Sequence, residues 1–414
     1  MRVKIPKHKL TDNELIVYNK PKKVYIPMIS GNDTDITILV NKGEYVYKGS
    51  IIGKRKGNFR IPIHSSVSGR VLDFEERTCL NGQKVKCVVI ENDFKEKIEQ
   101  KINVKKEINK YTKEEFIDLI KENGVVGLGG AGFPTYVKYE PKKIKTLIVN
   151  AVECEPYITS DYSIIKLKCE EILETIDAIL EINKIDEAII AIRKDNVKLK
   201  NIFDNFIGTY LKIRIKLVSN YYTTGWEREL IKEVTNKEYN KLPIEKNIVV
   251  NNISTIYAIY EVLKYNKPMI ERVVTFSGEN LGKCKNVLVK TGTPVKEILD
   301  LLEMKDNSII IAGGPMMGKE ALDDLVISSE LNCVLALENK KVLSNPCIKC
   351  GKCVDVCPSK LSPVLIMNCN KNKKLIQLHP EKCIECGLCS YICPAKILVR
   401  EEVKKAKKVL KEVK

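Results

Sequence analysis

The sequence predicts a multidomain chain that is β-rich at its start, α/β through its middle and helical at its end. Three observations carry this prediction: short β-branched runs between glycines before residue 100, a regular strand and helix alternation from Lys145, and two identical cysteine spacings near the end. Its 414 residues leave room for about three domains. With 44% hydrophobic and 30% charged residues the composition is globular and excludes a disordered chain. The opening Met1-Arg-Val-Lys-Ile-Pro-Lys-His8 lacks the apolar core of a secretory leader, and no apolar run is long enough to span a bilayer. A reducing cytoplasm is the expected compartment.

Residues 1–100 read as a small β domain. Strand runs at 36–40, 51–54, 68–74 and 85–91 are separated by turns at Gly43, Gly49, Gly57 and Asn81-Gly82. The phrase from Val40 through Gly53, followed by Ile63-His64-Ser-Ser-Val-Ser-Gly69, resembles a lipoyl-type barrel-sandwich hybrid. Carrier domains of that kind place a lysine at the hairpin tip, where His64-Ser65-Ser66 stands here. Carriage of a prosthetic group is not expected, and His64 is expected as a turn residue.

Residues 95–113 form a charged connector. Thr112-Lys-Glu-Glu115 is a capping box, and Phe116, Leu119 and Ile120 give the following helix an apolar face that ends at Asn123-Gly124. Next comes Gly127-Leu-Gly129-Gly130-Ala-Gly132-Phe-Pro134-Thr135. This satisfies G-x-G-x-x-G, with Glu153 about twenty residues beyond. Pro134 and Pro141, however, leave no room for the crossover helix of a dinucleotide fingerprint. Four glycines still expose successive N–H groups and admit a flat or anionic ligand, so a phosphate-bearing cofactor is the expected guest and a structural turn the plain alternative.

From Lys145 the pattern alternates: strand 147–150, helix 163–182, strand 187–193, helix 197–206, strand 213–218, helix 226–234, strand 247–250 and helix 254–263. Such alternation predicts a largely parallel sheet covered on both faces, with ligands at the carboxyl ends of its strands. Those ends carry Asn150-Ala-Val-Glu153-Cys-Glu155-Pro156, Tyr221-Tyr-Thr-Thr-Gly225-Trp-Glu227 and Asn251-Asn252. Each alone reads as a cap or turn. Three at equivalent positions, beside the glycine loop, read as one site.

The cysteine stretch runs Cys347-Ile-Lys-Cys350-Gly-Lys-Cys353-Val-Asp-Val-Cys357-Pro and Cys383-Ile-Glu-Cys386-Gly-Leu-Cys389-Ser-Tyr-Ile-Cys393-Pro. C-x2-C-x2-C-x3-C-P wraps three thiolates round one face of a cubane and sends the fourth to its neighbour. Two [4Fe–4S] clusters follow, one on Cys347, Cys350, Cys353 and Cys393, the other on Cys383, Cys386, Cys389 and Cys357. A zinc site needs only four ligands and has no use for two linked sets. The apolar run 361–367 is expected to pack a helix beneath both clusters. Cys79, Cys87, Cys154, Cys169, Cys284, Cys333 and Cys369 are scattered singly and read as apolar fillers. Past Cys393, the residues Val403, Ala406, Val409, Leu410 and Val413 recur at helical spacing, an amphipathic helix expected to pack on its own protein.

The formal charge is +17, with lysines spread along the whole chain and no basic patch interleaved with aromatics. No nucleic-acid module is expected. The excess suits an acidic electron carrier or an anionic membrane leaflet, with compositional bias as the plain alternative.

The glycine loop, Asn150 through Pro156, Gly225-Trp-Glu227 and Asn251-Asn252 resemble the flavin and nicotinamide site of the respiratory complex I flavoprotein subunit. Glu153-Cys-Glu155-Pro-Tyr-Ile-Thr-Ser-Asp161-Tyr, Gly313-Gly-Pro-Met-Met-Gly318 and the two cluster motifs, in this order, resemble the RnfC family of the Rnf electron transport complexes. The resemblance implies that Gly127, Gly129, Gly130 and Gly132 cradle FMN, that Lys138, Gly225 and Glu227 help hold FMN or the dinucleotide, and that Asn150, Asn251 and Asn252 hydrogen-bond the flavin side. It implies Glu153 and Glu155 beside the ring where nicotinamide stacks. Val152 departs from the complex I pattern, which has an aspartate there. Residues 272–337, with Gly278, Gly282, Gly292 and Gly313-Gly314, resemble the β-grasp domain of both families.

The implied plan is a barrel-sandwich hybrid at 1–100, a Rossmann-like FMN/NADH domain at 108–268, a β-grasp (SLBB) domain at 270–338, a helical two-cluster ferredoxin domain at 342–400 and a charged helical tail at 401–414. Nicotinamide exchanges two electrons as hydride and a cluster passes one, so a flavin must stand between them. The implied function is a peripheral subunit on the cytoplasmic face of the cell membrane, exchanging hydride between NAD(H) and FMN and passing electrons through two clusters. Its implied partners are other subunits of the complex, the inner membrane surface and, indirectly, ferredoxin; ion translocation falls to the membrane subunits. A cobalamin reductase of bacterial microcompartments and a non-catalytic electron-relay or docking subunit are the alternatives.

Overall fold

The computed structural model describes the chain apart from residues 1, 2, 8–10, 12, 13, 32, 58, 81, 131, 142, 341, 370, 371 and 414. At its centre, Thr146–Asn150, Glu187–Arg193, Ile213–Val218 and Ile248–Asn252 pair as an all-parallel four-stranded sheet. Three of the strands are covered on both faces, which is why they are nearly continuous apolar runs, whereas the edge strand Ile213–Val218 alternates with Arg214 and Lys216. Leu147, Val149, Ala188 and Ile190 face a core built with the helices Lys113–Glu122, Ser160–Asn183 and Ile253–Tyr265, among them Phe116, Ile172 and Ile256. The alternate residues Ile148, Ile189, Ala191 and Val250 face Leu230, Ile231 and Val234 of the helix Glu227–Thr235. The capping box at Thr112 forms as expected, with Thr112 Oγ1 accepting from Glu115 N and Glu115 accepting from Thr112 N.

The spatial order of the strands places Ile248–Asn252 on one side of Thr146–Asn150 and Glu187–Arg193 on the other. The chain therefore reverses its direction of travel at Thr146–Asn150. Open α/β sheets bind ligands in the crevice outside the carboxyl ends of the two strands at such a reversal.

The N-terminal unit is a sandwich of two sheets. Lys23–Pro27, Lys84–Asn92, Gly69–Thr78 and Tyr45–Val46 make one, and Ile36–Ile38, Ile51–Arg55 and Pro62–His64 the other. Val24, Val46, Ile52, Val71 and Ile90 fill the space between them. His64 is not a turn residue: it ends a strand and is buried against Gly124, where burial holds its pKa down to about 4. The turn expected at Asn81-Gly82 lies partly outside the described residues, since Asn81 is not among them.

A six-stranded mixed sheet follows, containing Glu271–Ser277, Lys285–Lys290, Ser308–Ala312, Lys319–Ala321 and Cys333–Glu338. Its sixth strand comes from far away. Leu15–Tyr18 lies parallel on Lys285–Lys290, with Leu15 opposite Asn286, so the stretch expected to open the first domain is part of this sheet.

The cysteine-rich segment folds as short helices, among them Lys352–Asp355, Pro363–Met367 and Leu388–Tyr391, roofed by Val399–Val413. Gly351 and Gly387 precede two of these helices at φ 74° and 80°, left-handed backbone that glycine adopts without strain. The terminal helix packs on its own protein: Val399, Val403 and Leu410 are buried with Leu361 and Ile366. Among the described residues no helix is long and apolar enough to cross a membrane.

Candidate functional site

The glycine loop sits in the crevice at the strand reversal. Gly127 N–H donates to Phe133 O at 2.8 Å and Leu128 N–H to Thr255 Oγ1 at 2.9 Å, which pins the loop to itself and to the helix Ile253–Tyr265. Gly132 (φ 59°) is packed so tightly that a Cβ would stand 2.6 Å from Gly31 Cα and 2.8 Å from Glu330 Cγ. Gly130 (φ 116°) differs, since a Cβ there would meet nothing within 4 Å. The loop is thus held at its ends and open at its middle, the shape of a cradle for a bulky anionic ligand.

Lys138 reaches the same crevice. Its Nζ donates to Val250 O at 2.7 Å and stands 4.0 Å from Glu227 Oε2, and burial lowers its pKa. Asn150 and Asn252 are register partners on adjacent strands. Asn150 Nδ2 donates to Gly225 O at 2.8 Å while its Oδ1 accepts from Val152 N at 3.1 Å. Asn251 donates to the buried Tyr139 hydroxyl. Asn252 Oδ1 caps the next helix by accepting from Ser254 N at 2.9 Å, and its Nδ2 donates to Asp161 Oδ2 at 2.7 Å. The fold brings the three asparagines together, with protein partners on all three amides.

Glu153 and Glu155 point apart. Glu153, at φ 41°, accepts from Asp161 N at 2.9 Å and lies 3.8 Å from Lys7 Nζ, which itself donates to Ile158 O at 2.7 Å. Glu155 Oε1 accepts from the Tyr222 hydroxyl at 2.9 Å and Oε2 from Met316 N at 3.1 Å; burial raises its pKa against these bonds. Between them Cys154 packs against Gly225, where a Cβ would stand 2.8 Å from its Sγ. Val152, in the aspartate position of the complex I pattern, is buried in the apolar cluster with Leu230 and Ile231.

Sequence reasoning gave no role to Asp161, Tyr222, Arg272 or Met316. Asp161 is a buried carboxylate held by Asn252 and Ser254 with the Arg272 charge nearby, and burial raises its pKa. The one signal for Arg272 is a guanidinium directly before the apolar pair Val273-Val274 in the strand Glu271–Ser277, where the structure buries it.

The eight motif cysteines fall into two sets round two cavities. Cys347, Cys350, Cys353 and Cys393 line one, and Cys357, Cys383, Cys386 and Cys389 line the other. Among the described residues no three His, Cys, Asp or Glu side chains converge as they would on a single ion. Thiols spaced round a cavity suit a cubane better than tetrahedral zinc. Of the remaining cysteines, Cys79, Cys87, Cys169 and Cys333 are buried fillers, with burial pushing the Cys87 and Cys169 thiols up to about 12.

The second cavity adjoins the crevice. Cys386, Leu388, Met316, Tyr222 and Ile5 share one apolar cluster. Gly387 touches the Met316 carbonyl so closely that a Cβ would stand 2.6 Å from it, and Arg400 donates to the same oxygen.

Comparison with known proteins agrees with this arrangement. The RnfC barrel sandwich hybrid domain matches residues 2–95, the Nuo51 FMN-binding domain residues 120–261 and the 4Fe-4S dicluster domain residues 346–397. The chain is 32% identical over 358 residues to the C subunit of the proton-translocating ferredoxin:NAD(+) oxidoreductase complex of Clostridium ljungdahlii, covering 84% of this chain and 78% of that one. It is 30% identical to the C subunit of the Na(+)-translocating ferredoxin:NAD(+) oxidoreductase complex of Acetobacterium woodii, covering 84% and 81%. It is 31% identical to the C subunit of an ion-translocating oxidoreductase complex of Vibrio cholerae, covering 86% of this chain and 48% of that one.

Proposed function

The chain belongs to the RnfC family, the C subunits of the ion-translocating ferredoxin:NAD(+) oxidoreductase (Rnf) complexes, and from that premise we propose that it is the subunit at which such a complex exchanges electrons with NAD(H). The observation that carries the reading is the junction at Glu155. One carboxylate joins the crevice of the parallel sheet, through Tyr222, to the Met316 loop that touches the second cysteine cavity.

FMN, when bound, supplies the change between hydride exchange and one-electron transfer. The loop of Gly127, Gly129, Gly130 and Gly132 would hold the phosphate end, Gly127 and Gly132 closing it through their own N–H bonds and Gly129 and Gly130 presenting theirs beside the Lys138 ammonium, which Glu227 keeps oriented. Asn150, Asn251 and Asn252 would act at one remove, by fixing Gly225, the buried Tyr139 and Asp161 at the carboxyl end of the sheet. Glu153 and Glu155 would flank the nicotinamide side from separate anchors, Glu153 on Asp161 N and Lys7 and Glu155 on Tyr222 and Met316, while Gly225 makes room for Cys154 between them. Cys347, Cys350, Cys353 and Cys393 hold one [4Fe–4S] cluster, and Cys357, Cys383, Cys386 and Cys389 the other. Hydride brings one proton with its two electrons, and that proton would pass to or from solvent as the electrons move singly.

The central sheet then serves as a Rossmann-like domain near 108–268, and the six-stranded sheet as the β-grasp (SLBB) domain near 270–338, with the barrel-sandwich hybrid, ferredoxin domain and tail as expected at 1–100, 342–400 and 401–414. In this reading the protein sits peripherally on the cytoplasmic face of the membrane. Ferredoxin delivers electrons through other subunits, and the membrane partners translocate the ion.

Anaerobic purification followed by cofactor analysis and NADH titration tests the proposal. FMN, about eight irons per chain and bleaching of the flavin by NADH are the expected results. A protein without flavin, or with flavin that NADH leaves oxidised, overturns it.

A further inference from the structure

We propose that residues 3–7 belong to the redox site, as a strap that positions Tyr222 where the crevice meets the second cysteine cavity and Glu153 on the nicotinamide side. The inference rests on the function proposed above and adds positioning residues to it.

The segment Val3-Lys4-Ile5-Pro6-Lys7 has no regular secondary structure, yet both of its ends are fastened to the site. At one end Tyr222 N–H donates to Val3 O at 2.9 Å. At the other, Lys7 Nζ donates to Ile158 O at 2.7 Å and stands 3.8 Å from Glu153 Oε2, with both side chains largely buried. Alternate residues of an extended chain point the same way. Ile5 is accordingly buried in the apolar cluster of Tyr222, Met316, Cys386 and Leu388, while Lys4 and Pro6 are exposed. Further along, Thr11 Oγ1 lies at hydrogen-bond distance, 2.6 Å, from Thr159 Oγ1, and Leu15–Tyr18 pegs the chain into the six-stranded sheet.

A segment that only covered apolar surface would not carry an ammonium inward, because burying a charge is costly unless it is paired. Lys7 is paired with the Glu153 carboxylate, and its charge also opposes the burial that raises the pKa values of Glu155 and Asp161. Tyr222 is the second target. Its hydroxyl donates to Glu155, its side chain packs with Cys386, and its backbone N–H is held by the strap. With NADH as donor, the flavin is oxidised and the second cluster reduced by one electron at a time across this junction; no bond forms between them, and the proton of the hydride leaves to solvent. A displaced Tyr222 loosens the junction and leaves the hydride step alone, whereas a lost Lys7 does the reverse.

The test uses the full chain, purified anaerobically, with iron and flavin measured first. Stopped-flow absorbance after NADH addition separates flavin bleaching from cluster reduction in wild type, I5S, K7M and K7R. I5S is expected to slow cluster reduction about tenfold, with the KM for NADH and the rate of flavin bleaching as in wild type, and to speed hydrogen exchange at the Tyr222 amide. K7M is expected to raise the KM for NADH about tenfold, with K7R restoring most of it. It is also expected to lower the flavin midpoint potential, since a nearby cation favours the electron-rich form. K7M and K7R leave Ile5 in place and carry the test where I5S does not fold. Unchanged kinetics in I5S and K7M overturn the proposal. So do losses that fall equally on both steps and follow the thermal melts, which mark a strap that only holds the fold together. Wild type that lacks flavin or is not bleached by NADH defeats the proposed function instead, while Tyr222 exchange still reads the strap, and the two failures are thereby told apart.

Discussion

The Glu155 carboxylate accepts a hydrogen bond from the Met316 backbone N–H at 3.1 Å, tying the flavin-type sheet to the loop that touches the second cysteine cavity. Replacing it by glutamine turns one acceptor into a donor beside the Met316 and Tyr222 donors. E155Q is expected to lose about 1–3 kcal/mol of stability and to slow NADH-driven bleaching of the iron–sulfur absorbance more than that of the flavin. Denaturant titration and stopped-flow spectroscopy read the two effects.

Gly351 and Gly387 occupy equivalent places in the two motifs yet predict different outcomes. Both have left-handed φ, so alanine at either costs about 1–2 kcal/mol. A Cβ at Gly351 meets nothing within 4 Å, whereas at Gly387 it would stand 2.6 Å from Met316 O. G351A is expected to melt slightly early with its cluster chemistry intact. G387A should melt earlier still and lose electron flow into the clusters, as followed by cluster absorbance after NADH addition.

Cys357 comes from the first motif and lines the cavity of the second. C357S should therefore damage the cluster held by Cys383, Cys386 and Cys389 and leave the other, with iron falling towards about four per chain. Iron assay and electron paramagnetic resonance of the reduced protein check this. Loss of the signal from the Cys347 set alone would contradict cross-ligation.

Within the glycine loop, G132A would push a methyl into Gly31 and Glu330, whereas the methyl of G130A points into open space. G132A is expected to destabilise the fold, while G130A stays folded after the cost of its φ and is purified with little flavin. Thermal melts paired with flavin content separate the two.

His64 gives a pH prediction. The unfolded chain takes up a proton near the ordinary value of 6.5, whereas burial holds the folded value down to about 4. The stability contributed by the neutral ring is fully present above the ordinary value and is lost as pH falls through that window, on the order of 3 kcal/mol. H64N should flatten this slope in denaturation curves taken above and below the ordinary histidine value.

Three of the parallel strands are legible in the sequence as β-branched runs closed by a polar residue and the edge strand Ile213–Val218 as an alternating one, and Glu187–Arg193 and Ile213–Val218 occur where the pattern puts them. The Leu15–Tyr18 strand is not legible as part of the late sheet. Its four residues carry strand propensity, but nothing local points to Lys285–Lys290 as the partner. The same holds at the site. Residue types mark Asn150, Gly225, Asn252 and Glu155, whereas Asp161 and Met316, which orient Asn252 and Glu155, are set by tertiary contacts.

Pairing Leu15 with Asn286 has a consequence for synthesis. The strand waits on the ribosome while about 270 more residues are made, because a long-range pairing gains nothing until both partners exist. Until then the apolar Leu-Ile-Val-Tyr edge is open to wrong partners. Closing it late makes docking of the first strand a checkpoint on maturation of the six-stranded sheet, so truncation after the flavin-type domain would leave that strand a seed for aggregation.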